Sequence, residues 1–210
     1  VVFKYDDEDP KPSLIIPKLV IKPGEKIAIL GRNGAGKSSL LQLMSGMQTA
    51  TQGKVNLDDI DITLLDPADV RRDVGLLNQN AHLFFGTVRE NLTLGAPLAT
   101  DDDLLKALSV TGALSFIQDK KEGLDHIIME GGVGFSGGQR QALLLSRLLI
   151  CQPNILLLDE PTASIDDVSE KQLIDHMKVW LAHRTLIVAT HRRAVLELVD
   201  RIIVINEGRV

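Results

Sequence analysis

The stretch Gly31-Arg32-Asn33-Gly34-Ala35-Gly36-Lys37-Ser38 constrains this chain more than any other. It fits G-x-x-x-x-G-K-[ST], in which glycines lacking Cβ let consecutive backbone N–H groups curl around a phosphate. Lys37 is placed to reach terminal phosphates, and the Ser38 hydroxyl to take one position on Mg²⁺. The flanks agree with this reading. Glu25 to Leu30 reads as a buried strand, and Ser38 to Gln48, with Leu40, Leu41, Leu43, Met44 and Met47, as a helix that buries much of its surface. A strand, a glycine loop and a helix N-terminus in that order place an anion at the positive end of the helix dipole. The expected product is an α/β domain that binds a nucleoside triphosphate.

Length and charge narrow the class. The 210 residues suffice for one large α/β domain. With 28 acidic against 23 basic residues the chain is mildly acidic, whereas domains built to grip nucleic acid are usually clearly basic. Cys151 is the single cysteine, so no intrachain disulfide forms. It reads as a small buried residue near a helix end. No stretch approaches 18 uninterrupted apolar residues, the length of a membrane-crossing helix, and no signal peptide is visible. The chain starts directly in strand-like Val1 to Tyr5 and stops at Gly208-Arg209-Val210, so a domain of a longer protein is expected.

After Val1 to Tyr5, the sequence predicts an acidic, proline-bearing loop over 6–12, a second strand around Leu19 to Ile21 and a turn at Pro23-Gly24. Tyr5, the only tyrosine, ends the first strand. Aromatic faces stack well on bases, and a tyrosine at a strand end also simply packs. Gly53 to Leu57 reads as a short strand, 60–73 as containing a proline-led helical turn, and Val74 to Leu77 as a strand that ends in Asn78-Gln79-Asn80. A glutamine there could hydrogen-bond a metal-bound water or a phosphate, or be an exposed loop residue. Thr100 caps a helix whose first turn is Asp101 to Asp103, and a second short helix runs to about Gln118. His82, His126, His176 and His183 have no metal-ligand spacing and receive no role.

A second glycine-rich stretch, Glu130 to Arg140, opens a helix expected over 141–150, and its free amides and Ser136 hydroxyl make another anion site. Asn154 to Leu158 is a continuous apolar run, as in a strand buried on both faces. It delivers Asp159 and Glu160 at its carboxyl end, where open α/β sheets put their ligands. Adjacent residues on a strand point to opposite sides, so the two carboxylates divide the labour. One can hold Mg²⁺ while the other orients or deprotonates an attacking water. A loop over 161–166, an amphipathic helix from about Asp167 to Leu181, a buried strand from Thr185 to Thr190 that delivers His191, and a last strand from Arg201 to Asn206 complete the chain. His191 could contact a phosphate oxygen.

In this order the residues resemble the nucleotide-binding domain of ATP-binding cassette (ABC) proteins over essentially the whole of 1–210. The specific element is Phe135-Ser136-Gly137-Gly138-Gln139, similar to the family signature LSGGQ, whose last residue lies 20 positions before Asp159. The resemblance implies a P-loop NTPase fold of ABC type. That fold has a parallel-sheet ATP-binding core, an antiparallel β subdomain and a helical subdomain, roughly residues 80–150, that carries the signature. It implies ATP and Mg²⁺ as ligands. Gly31, Asn33, Gly34, Ala35, Gly36, Lys37, Ser38 and Ser39 resemble the Walker A phosphate cradle, and Gln79 the Q-loop glutamine associated with Mg²⁺ and the attacking water. Asp159 matches the Walker B aspartate, Glu160 the catalytic base, and Ser164-Ile165-Asp166 the D-loop. His191 matches the switch histidine, and Tyr5 the aromatic that stacks on adenine. Domains of this family pair head to tail, so Ser136, Gly137, Gly138 and Gln139 are expected to act on a partner's ATP. That partner is expected to be a second, equal copy.

A narrower resemblance concerns Leu83 to Gly95, similar to the segment after the Q-loop in ABC exporters, particularly those of bacterial type I secretion. It implies transmembrane domains on the same polypeptide, a place on the cytoplasmic face of the inner membrane, a periplasmic adaptor and an outer-membrane channel, and no nucleic-acid partner. The sequence departs from the family at Phe135 and Ile165, which replace leucines, and at Gly131, where many exporters carry Arg or Gln. A soluble cassette acting on DNA would need a coiled-coil insertion for which the Gln79–Ser136 interval is too short. A ribosome-associated member would normally hold two cassettes. An importer's ATPase subunit is disfavoured by the Phe84 to Gly95 segment.

Overall fold

The structure, a computed structural model, describes residues 1–6, 8 and 11–210, so part of the acidic loop expected over 6–12 lies outside the described residues. In chain order the elements are β1 (Val2–Phe3), β2 (Leu14–Ile15), β3 (Lys26–Leu30), α1 (Lys37–Met44), β4 (Asn56–Leu57), β5 (Ile60–Asp61), α2 (Pro67–Asp73), β6 (Val74–Leu77) and β7 (Gly86–Thr87). There follow α3 (Val88–Thr93), α4 (Asp101–Thr111), α5 (Ala113–Gln118), β8 (Ile127–Ile128), α6 (Gly137–Ile150), β9 (Ile155–Asp159), α7 (Asp167–Trp180), β10 (Thr185–Ala189) and β11 (Arg201–Val204).

A five-stranded sheet in the order β11-β3-β10-β9-β6, parallel throughout, organises these elements. All five residues of β10 are buried, as expected of a strand covered on both faces. Alternation along the strands divides the interior in two. Leu156, Leu158, Leu186 and Val188 face a core shared with α3 to α7, while Ile29, Leu157, Ile187 and Ala189 face one shared with α1 and the short antiparallel strands. Because the strands are parallel and in register, with Ala189 opposite both Ile29 and Asp159 and Leu77 opposite Leu158, their carboxyl ends share one edge. That edge collects the glycine loop after β3, Asn78-Gln79 after β6, Glu160 after β9 and His191 after β10.

The antiparallel elements are small: β1 with β2, β4 with β5, and β7 with β8. The strand expected around Leu19 to Ile21 is instead Leu14–Ile15, which pairs Phe3 with Leu14 and Val2 with Ile15. Leu19 and Ile21 lie between Pro17 and Pro23 and pack against the second core without joining a ladder. Helix α1 stops at Met44, short of Gln48, with Gly46 in the left-handed region at φ 73°. Helix α6 begins at Gly137, four residues earlier than expected. Ser136 caps it, drawing the signature-like glycines into its first turn.

Candidate functional site: two glycine loops and a carboxylate edge

The first loop needs its glycines for two reasons. Gly34 and Gly36 have φ of 78° and 102°, and Gly36 is the N-cap of α1. A Cβ on Gly36 would lie 2.6 Å from Leu14 Cδ2, and one on Gly31 would lie 2.4 Å from the Ile205 carbonyl oxygen. Strand β2 and the residue after β11 therefore brace the loop from both sides. Lys37 Nζ donates to the carbonyls of Gly31 (2.9 Å) and Arg32 (3.3 Å), folding the ammonium back over the loop it serves. Asn33 is exposed beside it and Ala35 is buried. The Tyr5 hydroxyl lies 2.7 Å from Ser39 Oγ, and its ring meets Phe3 edge-on at 4.8 Å. Tyr5 is 60% exposed, so an aromatic face stands free next to the first turn of α1.

At the carboxyl end of β9 the two acids take different environments. Asp159 is buried, and its desolvation pushes the carboxyl above its usual range. A hydrogen bond from Ser38 pulls the other way, Glu160 adds repulsion and Lys37 a weaker attraction. Glu160 leaves the strand with φ 51°, a left-handed conformation unusual for a residue with a side chain, while its N–H donates to the Ala189 carbonyl at 2.9 Å. Glu160 Oε1 lies 2.9 Å from His191 Nδ1. Its Oε2 is buried and has no hydrogen-bond partner among the described residues. One carboxylate oxygen is thus tethered and the other is left with its lone pairs unpartnered, able to accept from a proton donor. Gln79 is exposed on the same edge, after Asn78.

The second loop is built differently. Ser136 Oγ accepts from the Gln139 N–H (3.1 Å), and Gln139 Oε1 accepts from the Ser136 N–H (2.9 Å), a reciprocal capping box. The Gln139 carboxamide is therefore engaged by its own loop. Phe135 is buried, edge-on to Phe116 and His126 with Lys120 Nζ over its ring. Asp166 is likewise engaged: its carboxylate accepts from the N–H groups of Val168 and Ser169 and caps α7, which holds its pKa below the usual range. Among the described residues no hydrogen bond joins the second loop to the first. Gly137 and Gly138 instead lie against Ser164 and Ile165. The structure thus brings Lys37, Ser38, Asp159, Glu160 and His191 to one edge, and Ser136 to Gln139 to another place beside the loop before α7.

Two polar networks leave only slight marks in the sequence. Arg192 forks onto Glu170, and Arg147 is half-buried without a carboxylate partner among the described residues. Arg147 donates to the Asn91 carbonyl (2.8 Å), Asn91 Oδ1 (2.7 Å) and the His82 carbonyl (3.1 Å), and it stacks over Phe84. Burial lowers its pKa. Asn91 in turn brackets Phe84, accepting from its N–H and donating to its carbonyl, both at 2.9 Å. The signals were an arginine inside the apolar run 143–150 and an acid, Glu170, on the buried stripe of α7 with Leu173, Ile174 and Met177. A separate cleft lies at the amino ends of the strands, lined by Ile16, Leu43, Val55, Ile155 and Thr185.

The family description "ABC transporter" matches residues 17–163, the larger part of the chain. The chain belongs to the ABC transporter family. It is an ATP-binding domain of a family that hydrolyses ATP. Over its full 210 residues it is 39% identical to the cyclolysin secretion/processing ATP-binding protein CyaB of Bordetella pertussis, of which it spans 29%. It is 35% identical over 209 residues to the ATP-dependent lipid A-core flippase of Hahella chejuensis, 99% of the cassette against 36% of that protein. A solved bacterial Atm1-family ABC exporter with ATP bound superposes with a TM-score of 0.94 at 30% identity, covering all of the cassette and 37% of that chain. The cassette thus spans about a third of the length of these relatives, and its fold is that of an ABC exporter ATPase. Among the described residues no helix is long and apolar enough to cross a membrane.

Proposed function

We propose that residues 1–210 form one ABC nucleotide-binding domain, with a helical subdomain over roughly 80–150, that binds and hydrolyses ATP to drive an exporter. The observation that carries this reading is the Glu160 carboxylate, tethered to His191 through one oxygen and buried without a partner at the other. Lys37 and the amides of Gly34 to Ser39 bind the phosphates, with the α1 dipole behind them. The exposed face of Tyr5 stacks on adenine. Glu160 takes the proton of the attacking water, and His191 fixes the carboxylate and reaches the terminal phosphate. The oxygen donors of Ser38, Asp159 and Gln79 suit a hard cation, and the orphaned Glu160 oxygen beside them fits a site completed by Mg²⁺ and its waters. Bound there, Mg²⁺ would neutralise charge on the phosphate oxygens.

Two copies pair head to tail, each offering Ser136 to Gln139 to the other's ATP. The separation of the two glycine loops within one chain supports this, because the capped N-terminus of α6 serves no nucleotide of its own. Asp166 joins the interface from the loop beside it. The segment fixed by Asn91 and Arg147 presents Phe84 and Phe85 outward, and β7–β8 pairing brings Ile127 and Met129 alongside, all exposed. Such an apolar patch fits docking onto transmembrane domains, on the same polypeptide, at the cytoplasmic face of the inner membrane. The likeness to a cyclolysin secretion protein favours type I secretion of a large toxin or adhesin, with a periplasmic adaptor and an outer-membrane channel.

The test is light scattering of Glu160→Gln with Mg²⁺-ATP and with Mg²⁺-ADP, beside its ATPase rate. A dimer with ATP alone, and turnover lowered by about 10²-fold or more, is expected for loss of a general base. Near-normal turnover would remove Glu160 from that role. A monomer that still binds ATP would remove the sandwich.

A further inference from the structure

Immediately after His191, the Arg192 guanidinium fork engages Glu170 bidentately, Nε to Oε1 and Nη2 to Oε2, both at 2.9 Å. The same Nη2 donates to the Ile165 carbonyl and to Asp167 Oδ1, each at 3.1 Å. Glu170 is 3% exposed, on the buried face of α7. The Arg192 N–H donates to Thr190 Oγ1 at 3.0 Å, and Thr190 is buried at the end of the strand. His191 therefore sits between two fixed points, a buried threonine and a clamped guanidinium, with its ring on Glu160.

Across from this clamp, the loop before α7 touches the second glycine loop. A Cβ on Gly137 would lie 3.0 Å from Ser164 Cβ, and one on Gly138 would lie 3.1 Å from the Ser164 carbonyl oxygen. A continuous line of contacts runs from Gly137-Gly138 through Ser164-Ile165 to Arg192, His191 and Glu160. Arg192 is the joint that chain connectivity does not supply, since 164–166 and 190–192 are far apart in sequence. A bidentate fork fixes both direction and distance, which a lysine's point charge does not.

We propose that Arg192, held by Glu170, is a positioning residue that couples the half-site this chain offers to a partner's ATP with the half-site that hydrolyses its own. The inference rests on the head-to-tail reading given above. A shift of Ser136 to Gln139 on closing over the partner's nucleotide moves Ser164-Ile165, and the Ile165 carbonyl carries that shift through the guanidinium to His191. Hydrolysis in one site then depends on closure at the other.

The experiment compares the wild-type chain with Arg192→Lys, Glu170→Gln and the apolar pair Arg192→Met/Glu170→Leu. Steady-state ATPase is followed against ATP and protein concentration, nucleotide affinity with trinitrophenyl-ATP, and melting temperature by calorimetry. Every variant should lose about tenfold in kcat and most of its cooperativity in ATP, with affinity for the probe within about twofold of wild type, as for misplacement of a catalytic group rather than loss of binding. The apolar pair separates positioning from stability, because replacing a buried ion pair by packed apolar residues generally preserves stability. It should recover the melting temperature without recovering cooperativity. Recovery of kcat and cooperativity in the apolar pair, or variants that change only the melting temperature, would overturn the proposal. A wild-type chain whose rate per chain is independent of concentration, and whose Glu160→Gln form stays monomeric with ATP, would instead overturn the sandwich on which the proposal stands.

Discussion

Asp159 and Gly36 show how narrowly single positions are fixed. Burial places the folded pKa of Asp159 above its unfolded value. Its ionised form therefore burdens the nucleotide-free chain. The burden is absent below the unfolded pKa and present in full once pH has risen through the folded one. Asp159→Asn should accordingly raise the melting temperature near neutral pH while abolishing Mg²⁺-dependent hydrolysis. The gain should vanish as the pH of the calorimetric scan is lowered, and a gain that persisted at low pH would mean another cause. Gly36→Ala places a methyl 2.6 Å from Leu14 at φ 102°. The variant should lose nucleotide binding and about 1–3 kcal/mol of stability, measured by denaturant titration.

At the scale of elements, the helices pack by rules visible in the sequence, and polar cross-ties lock them. Asn91 is the busiest of these, satisfying Phe84 and Arg147 from inside α3. Asn91→Ala would strip an acceptor from a largely desolvated guanidinium and both partners from the Phe84 backbone. A loss of about 2–4 kcal/mol in urea unfolding is expected, as for other buried polar groups left unpaired. The strand–loop–helix around Lys37 was legible because glycine spacing and apolar flanks both specify it, and β9 and β10 because continuous apolar runs in a short segment admit few other fates. The second antiparallel strand was not, since Leu14-Ile15 and Leu19 to Ile21 are equally apolar. The choice was made by pairing with Phe3 and by the prolines at 17 and 23. The start of α6 was missed for a related reason: glycines at 137 and 138 look like loop until Ser136 and Gln139 are seen to cap each other. Arg192 was invisible, because a fork reaching from 192 to 165 and 170 has no periodicity to betray it.

For the whole molecule, the head-to-tail reading predicts that the ATPase rate per chain climbs with protein concentration and levels off once dimers dominate. Dilution assays at saturating ATP check it, and a flat profile would contradict it. The apolar patch around Phe84 and Phe85 should behave as an association surface in this isolated span. Phe85→Ser should raise the solubility limit while leaving the rate per chain at a given concentration within about twofold, because Phe85 lies outside the proposed catalytic edge and is 64% exposed.

Glu160 keeps its side chain on a left-handed backbone, a conformation that suits glycine or asparagine better and costs about 1–3 kcal/mol elsewhere. A directed-evolution campaign scored only on heat resistance would therefore drift toward Glu160→Gly or Glu160→Asn, and toward Asp159→Asn beside it. It would silence the cassette while reporting success. Any library built on this scaffold needs turnover in its selection from the first round, because these strain- and charge-relieving substitutions sit side by side in the proposed hydrolytic centre.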